Sequence, residues 1–521
     1  MKIGDILSHT AATYPDHTAV THHDKSISYR ELQRESEKLA HYLKELSLSE
    51  GARVGIFMEN SIDYVISYFA VFKAGLVAVP LNTTLSYRQL SYIISDCQAE
   101  VLLVHARYQR MLAKFFESQP ALKCIISDRI LKVKLPHTIM ETLPHILEAD
   151  LSPSDNIDKQ TVIKNIDEEI VLQTPRELAA IFYTSGSTGK SKGVMLSHRN
   201  LIANTVGTIE YLKLTAQDSV IVILPFYYIY GNSLLLTHVM AGGRLVIDNR
   251  FMYAEMILDT METEKVTGFS GVPSNFMILL NKSTFPQRKF EHLRYFTQAG
   301  GAMAPDVIRR LYKLFPHKEI YIMYGQTEAS PRVTYLPPEL LVDKLGSVGI
   351  EVPGVKVKII KENGEEAATN EVGEIVVGGD SVMMGYWNQP EEQKEVLKNG
   401  WLYTGDLAKR DEDGMIFIAG RKKEIIKSGG NRISVKEVEE CLLANENIIE
   451  AAVLGVKDDV FGEAVKAVIV LKKGYQINLK DIQKYCRQTL AEYKIPRYVE
   501  FMDSLPKHKT GKINKLALME N

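Results

Sequence analysis

"YTSGSTGKSKGV", residues 183–194, packs three glycines, a run of serines and threonines, and two lysines into one short stretch. Such a loop suits an anion: glycine lets the backbone come close, hydroxyls and amides donate hydrogen bonds, and lysine brings compact positive charge. Phosphate is the expected ligand. Only Ser187 and Thr188 separate Gly186 from the Gly189-Lys190 pair, whereas a Walker loop has four residues there, so that loop is excluded. The apolar, strand-like run of residues 178–183 in front of it makes a bare Gly/Ser linker a poor alternative.

Outward from this loop, Ser197 follows a short apolar run and is a good N-cap for a helix from His198 toward Tyr211. Upstream, "ARVGIFM" (52–58), "LVAVPL" (76–81) and "EVLLVHA" (100–106) alternate with longer helical patterns, which predicts βα units and largely parallel sheets over the first 340 residues or so. Downstream, "LRYFTQAGGAMAPDVIRRLYKLF" (293–315) sets a double glycine between a strand and a helix beginning near Pro305. "EIYIMYGQTEAS" (319–330) ends a strand in a polar loop. Ligands in α/β sheets sit at strand ends, so three polar loops of this kind are expected to converge on one crevice.

From about residue 345 the texture changes to short strands and tight turns, with Asn363-Gly364 and Asp413-Gly414 as turn signals. Ser434 and Glu437 have capping-box spacing before an amphipathic run. "IEAAVLGV" (449–456), "EAVKAVIVL" (463–471) and a helix near Leu479 to Glu492 complete an α+β tail of about 100 residues. The expected fold is α/β. A large N-terminal domain, 1–420, has parallel α/β subdomains to about 340 and a small β subdomain at about 345–420; a hinge at 421–423 leads to a small mobile α+β C-terminal domain, 424–521.

The chain's 521 residues, 45% of them hydrophobic, allow roughly three or four structural units. Lysine and arginine total 62 against 64 acids, for a net charge of -2, so no global field points to nucleic acid or an anionic membrane. Cys97, Cys124, Cys441 and Cys486 are far apart and lack CxxC spacing, which fits a reduced, cytoplasmic setting. The first residues carry Asp5 and no apolar core, so no signal peptide is expected. The apolar stretches 64–81 and 219–247 are interrupted by Lys73 and Pro80, or by Pro225, Asn232, His238 and Arg244, which argues against a membrane span.

"YTSGSTGKSKGV", "YGQTEAS", "YTGDL", "GRKKEIIKSGG" and "LPKHKTGK" occur in this order through essentially the whole chain. In this the chain resembles the adenylate-forming (ANL) superfamily of acyl-CoA synthetases, peptide-synthetase adenylation domains and beetle luciferases. The resemblance implies an enzyme that uses ATP and Mg²⁺. Thr184, Ser185, Gly186, Ser187, Thr188, Gly189 and Lys192 would hold the departing pyrophosphate. Glu328 would be the metal ligand and Thr327 would contact the α-phosphate. Tyr324 with Gly325 would face adenine, and Gly300, Gly301 and Ala302 would form the opposite wall. Asp406 would accept both ribose hydroxyls. Arg421 would reach the ribose or a phosphate, or else make an interdomain ion pair. Lys423 would be the hinge residue, and Lys512 would bridge the substrate carboxylate and the α-phosphate in the transition state.

The implied reaction makes acyl-AMP and pyrophosphate, then passes the acyl group to a thiol. "LPFYYIYGNS" (224–233) lacks the acid that amino-acid-activating members carry there, so an α-amino acid is not the expected substrate. Tyr228 stands where many relatives have histidine, which puts a histidine-gated second step in doubt. Tyr228 and Asn232 are the pocket candidates, and tyrosines 227, 228 and 230 shape either the pocket mouth or the core. Apolar residues in "GFSGVPSNFMILL" (268–280) point to a hydrophobic acyl group, fatty or aryl. "KSGGNRIS" (427–434) resembles CoA ligases and favours coenzyme A; the alternative acceptor is the phosphopantetheine of a separate acyl carrier protein. A nucleotide-binding protein without turnover is the reading from another class. No oligomeric state is implied.

Overall fold

The computed structural model describes residues 1–112, 122–132, 138–149, 168–185, 191–428, 431–507 and 513–519. Two large sheets dominate. One, eight-stranded, runs in the order Gly385–Tyr386, Ser191–Ser197, Leu178–Ser185, Val77–Pro80, Arg53–Phe57, Ala99–Val104, Cys124–Ser127, Ile139–Thr142. From Leu178–Ser185 to Ile139–Thr142 its neighbours pair parallel. Ala99–Val104 is buried at every position, the pattern of a parallel strand covered on both faces.

The other large sheet has nine strands, with Arg244–Ile247, Ser219–Val222, Gly268–Gly271, Tyr295–Gln298 and Glu319–Gly325 parallel in its centre. Thr18–His22 completes it by pairing parallel with Arg244–Ile247, so the first strand of the chain joins a sheet formed two hundred residues later. The helix Tyr29–Glu45 that follows is held at its start by a capping box between Ser28 and Glu31.

A third, antiparallel sheet contains Val355–Ile360, Gly373–Gly379, Trp401–Arg410, Leu397–Lys398 and Ile416–Arg421. Two segments within the span expected for this unit go elsewhere: Ile350–Glu351 pairs onto the nine-stranded sheet and Gly385–Tyr386 onto the eight-stranded one. The turn Lys422–Glu424 connects the third sheet to a fourth, built from Asn431–Ser434, Ile425–Ser428, Gly462–Leu471, Ile448–Asp458 and Tyr498–Phe501. The chain is thus a mixed α/β protein with a large N-terminal part and a small α+β C-terminal part.

Several local expectations change. The glycine-rich segment joins two antiparallel strands, and the helix His198–Leu212 comes one strand later, capped by Ser197. Ser434 does cap Val435–Leu443, but the Glu437 carboxylate does not return to it; Lys494 takes that carboxylate at 2.6 and 2.8 Å. The last amphipathic helix stops at Cys486 instead of reaching Glu492, and Glu492–Lys494 forms a separate 3₁₀ turn. Among the described residues no helix is long and apolar enough to cross a membrane.

Candidate active site

The strands Leu178–Ser185 and Ser191–Ser197 set Thr184 opposite Lys192 and Ser185 opposite Ser191. Gly186, Ser187, Thr188 and Gly189 lie outside the described residues, and only the backbone of Ser185 is described. Gly385–Tyr386 lies along the outer edge of this hairpin with Tyr386 opposite Val194. Tyr386 therefore touches two of the motifs at once. Its ring centroid is 5.3 Å from Lys192 Nζ, and its hydroxyl donates to Glu328 Oε1 at 2.9 Å. The neighbouring backbone secures the same turn, with Met383 N donating to Glu328 O at 2.9 Å and Ser330 Oγ donating to Ser381 O at 2.7 Å.

Lys192 is in addition ion-paired with Glu392, a partner that sequence reading did not supply. The Lys192 side chain is only 18% exposed, and a largely buried ammonium needs an anion beside it. A phosphate arriving at the hairpin would compete with Glu392 for it. Thr327 and Glu328 stand in the half-buried turn Thr327–Ala329. One carboxylate with an oxygen already oriented by Tyr386 matches how magnesium is held, by one or two protein carboxylates plus phosphate oxygens.

Four residues before Glu328, Tyr324 near the end of Glu319–Gly325 donates its hydroxyl to Asp406 Oδ2 at 2.7 Å. Asp406 is 5% exposed, and its other oxygen receives Arg421 Nε at 3.0 Å across the register pair Asp406↔Arg421. Burial, and then the Asp406 carboxylate, hold the Tyr324 phenol well above its ordinary pKa, so it stays a donor. Glycine is required at 325, because a Cβ there would run into the Pro331 carbonyl. Gly300 has φ +83°, and Gly300, Gly301 and Ala302 form an exposed rim after Tyr295–Gln298. Gln298 Nε2 holds that rim by donating to Gly301 O at 2.8 Å.

Tyr228 precedes the helix Ile229–Ala241 and accepts from Asn82 Nδ2 at 3.0 Å, its pKa pushed up to about 12 by burial. Asn232 is fully buried and its Oδ1 accepts from Tyr68 at 3.0 Å. Tyr230 bonds to Thr297 Oγ1 at 2.8 Å. Of the apolar side chains of 268–280, Phe269, Phe276, Leu279 and Leu280 join a core cluster with Phe296 and Phe315, Met277 and Ile278 face outward, and Val272 and Pro273 lie beside Gly300 and Gly301.

Lys423 lies in the turn between the third and fourth sheets, with its side chain outside the described set. Lys512 lies outside the described residues. Its flanks are fixed by a backbone bridge between Lys507 and Ile513, with Lys507 paired to Glu450 at 2.5 Å and Lys515 to Glu439 at 2.9 Å. Sequence reading missed Tyr386 and Glu392; neither sits in a spaced motif, and strand pairing brings Tyr386 to the hairpin while the helix Pro390–Val396 carries Glu392 to Lys192.

The profile of the AMP-binding enzyme family matches residues 7–387, and that of the AMP-binding enzyme C-terminal domain matches residues 437–512. A long-chain-fatty-acid–CoA ligase of Bacillus subtilis is 33% identical, over 99% of this chain and 93% of its own. ATP-bound MatB of Rhodopseudomonas palustris superposes with TM-score 0.84 at 29% identity, covering 100% of this chain and 99% of its own. O-succinylbenzoate coenzyme A synthetase of Bacillus subtilis, in complex with ATP and magnesium ion, gives TM-score 0.83 at 26% identity and 99% coverage of both chains. With Tyr386 joining the glycine-rich hairpin to the Glu328 turn, with Tyr324 bonded to Asp406 and Asp406 paired with Arg421, and with these matches along its length, the chain belongs to the AMP-binding enzyme family.

Proposed function

We propose that this protein is an ATP-dependent, AMP-forming ligase that joins a fatty or aryl carboxylic acid to coenzyme A. The observation that carries this reading is the Tyr386 junction, which ties Lys192 of the glycine-rich hairpin to Glu328, four residues from the Tyr324 that bonds to Asp406. Cations and carboxylates alternate there as a polyanion with a divalent cation requires. The Bacillus subtilis fatty-acid and o-succinylbenzoate ligases support the acid class.

In this reading the hairpin, residues 184–189 with Lys192, receives the β- and γ-phosphates, and Thr327 contacts the α-phosphate. Tyr324, Gly325 and Gly300–Ala302 enclose adenine. Asp406 accepts the ribose hydroxyls while Tyr324 and Arg421 fix its carboxylate. Magnesium, when bound, neutralises phosphate charge, and Glu328 would hold it. Lys512 positions the acid's carboxylate. A carboxylate oxygen attacks the α-phosphorus, the bond to the bridging oxygen breaks, and pyrophosphate leaves. The C-terminal domain, 424–521, then turns about Lys423. The thiol of coenzyme A gives up its proton, its sulfur attacks the acyl carbonyl, and AMP departs. No cysteine of the protein is consumed, and its four free thiols accord with a cytoplasmic setting.

The test is mass spectrometry of products from the protein with MgATP, coenzyme A and a panel of fatty and aryl acids. Acyl-CoA with equimolar AMP is expected. Acyl-adenylate and pyrophosphate alone would move the acceptor to a carrier protein, and nucleotide binding without AMP would refute turnover.

A further inference from the structure

Arg332 takes no part in the chemistry above, yet it is 2% exposed. Neutral groups alone hold its guanidinium. Nη1 donates to the Tyr211 hydroxyl at 2.6 Å and to Met323 Sδ at 3.4 Å, while Nε and Nη2 both donate to Ser233 Oγ, at 3.2 and 3.1 Å. The Tyr230 ring covers its face, with the guanidinium carbon 5.4 Å from the centroid. Among the described residues no carboxylate pairs with it. The phenols are no substitute, because burial raises Tyr211 and pushes Tyr230 up to about 12, leaving both neutral.

A guanidinium has five N–H donors, so one hydrogen on Nη2 has no described acceptor. Next to Ser233 in the chain, Asn232 uses its Oδ1 on Tyr68 and leaves Nδ2 buried without an acceptor among the described residues. A buried cation lacking a counter-ion, near a buried amide donor lacking an acceptor, is an arrangement that folding by itself disfavours. Arg332 is the register partner of Gly325, and Asn232 lies in the first turn after Tyr228. Tyr230 keeps part of its surface accessible, so solvent reaches within one side chain of the cation.

We propose that Arg332, assisted by the Asn232 amide, receives a second anionic group on the acid, so that the substrate is a dicarboxylic acid activated at one end and held at the other. The planar guanidinium fork is suited to a carboxylate, and an apolar chain between the two carboxylates keeps the acid within the fatty or aryl class. This inference rests on the ligase reading and narrows its acid.

The experiment measures acyl-CoA and AMP formation with monocarboxylic and dicarboxylic acids matched in chain length, from butanoate and butanedioate to decanoate and decanedioate. The wild-type protein is expected to favour the dicarboxylic member at one or more lengths by roughly tenfold or more in kcat/KM. Arg332→Met should lower that value by on the order of a hundredfold, with little loss on the matched monocarboxylic acid, because a site built around a polar group discriminates by its unpaired partner. Arg332→Lys, which keeps the charge, should retain part of the preference. A monocarboxylic preference at every length in the wild-type protein would overturn the inference while leaving the ligase reading intact, even if Arg332→Met fails to fold. Equal loss on both acids would also overturn it. Absence of AMP with every acid would overturn the ligase reading, and this inference with it.

Discussion

Replacing Tyr386 by phenylalanine removes a single oxygen, the one that donates to Glu328 at 2.9 Å, and keeps the ring beneath Lys192. A hydrogen bond to an ionised carboxylate contributes about 1.5–3 kcal/mol. If Tyr386 orients Glu328 for adenylation, that range corresponds to a loss of about 10- to 150-fold in the first half-reaction. The cation–π contact of Lys192 is retained, so the hairpin should stay docked and thermal unfolding should shift little. ATP–pyrophosphate exchange measured across a magnesium titration reports the loss, with a higher magnesium concentration needed for half-saturation. Thioester formation from supplied acyl-adenylate and coenzyme A should be unchanged, because Glu328 acts before pyrophosphate departs. An exchange rate within twofold of wild type, or an equal fall in both half-reactions, would refute the reasoning.

Lys512→Ala should reduce adenylation on the order of a hundredfold or more, as for a removed transition-state donor, yet still convert supplied acyl-adenylate to thioester; equal losses would rule out two domain orientations. Asp406→Asn strips the charge that Arg421 and Tyr324 both contact, and should raise the KM for ATP by roughly tenfold or more, with the KM of the acid as the control that must not follow. Burial lowers His198 and His238 from 6.5 to about 4. Between those values the unfolded chain binds protons that the folded protein refuses, so their stabilisation is complete above about pH 6.5 and is lost as pH falls toward about 4. That is on the order of 3 kcal/mol for each fully buried histidine. His238→Gln should flatten the melting temperature over this window, and an unaltered slope would exclude His238 as a source.

Much of the architecture was legible because short-range signals carried it. Buried strands such as Ala99–Val104 read as largely apolar runs, Ser197 marked its helix, and the Asp413-Gly414 turn was stated by composition alone. The candidate ATP residues were legible for a related reason: phosphate, ribose and magnesium demand particular residue types, and a resemblance across five spaced motifs placed them by number. The site's supports were not. Tyr386 lies almost two hundred residues from Val194, and an ordinary Gly-Tyr pair acquires meaning only when it adds a strand to the hairpin's edge.

The apolar stretch at 268–280 reads as hydrophobic, but which of its side chains go where is fixed by packing: Phe269 and Phe276 enter the core, while Val272 and Pro273 lie beside Gly300 and Gly301. Sequence by itself determined the α/β class and many of the secondary elements, and it named the candidate phosphate-binding residues, because propensity, periodicity and charge act over a few residues. Only the tertiary structure decided that Thr18–His22 completes a distant sheet, that Lys192 has Glu392 beside it, and that Arg332 is buried with no counter-ion among the described residues. Long-range pairing and desolvation depend on the neighbours a side chain acquires in space, and no local pattern along the chain encodes them.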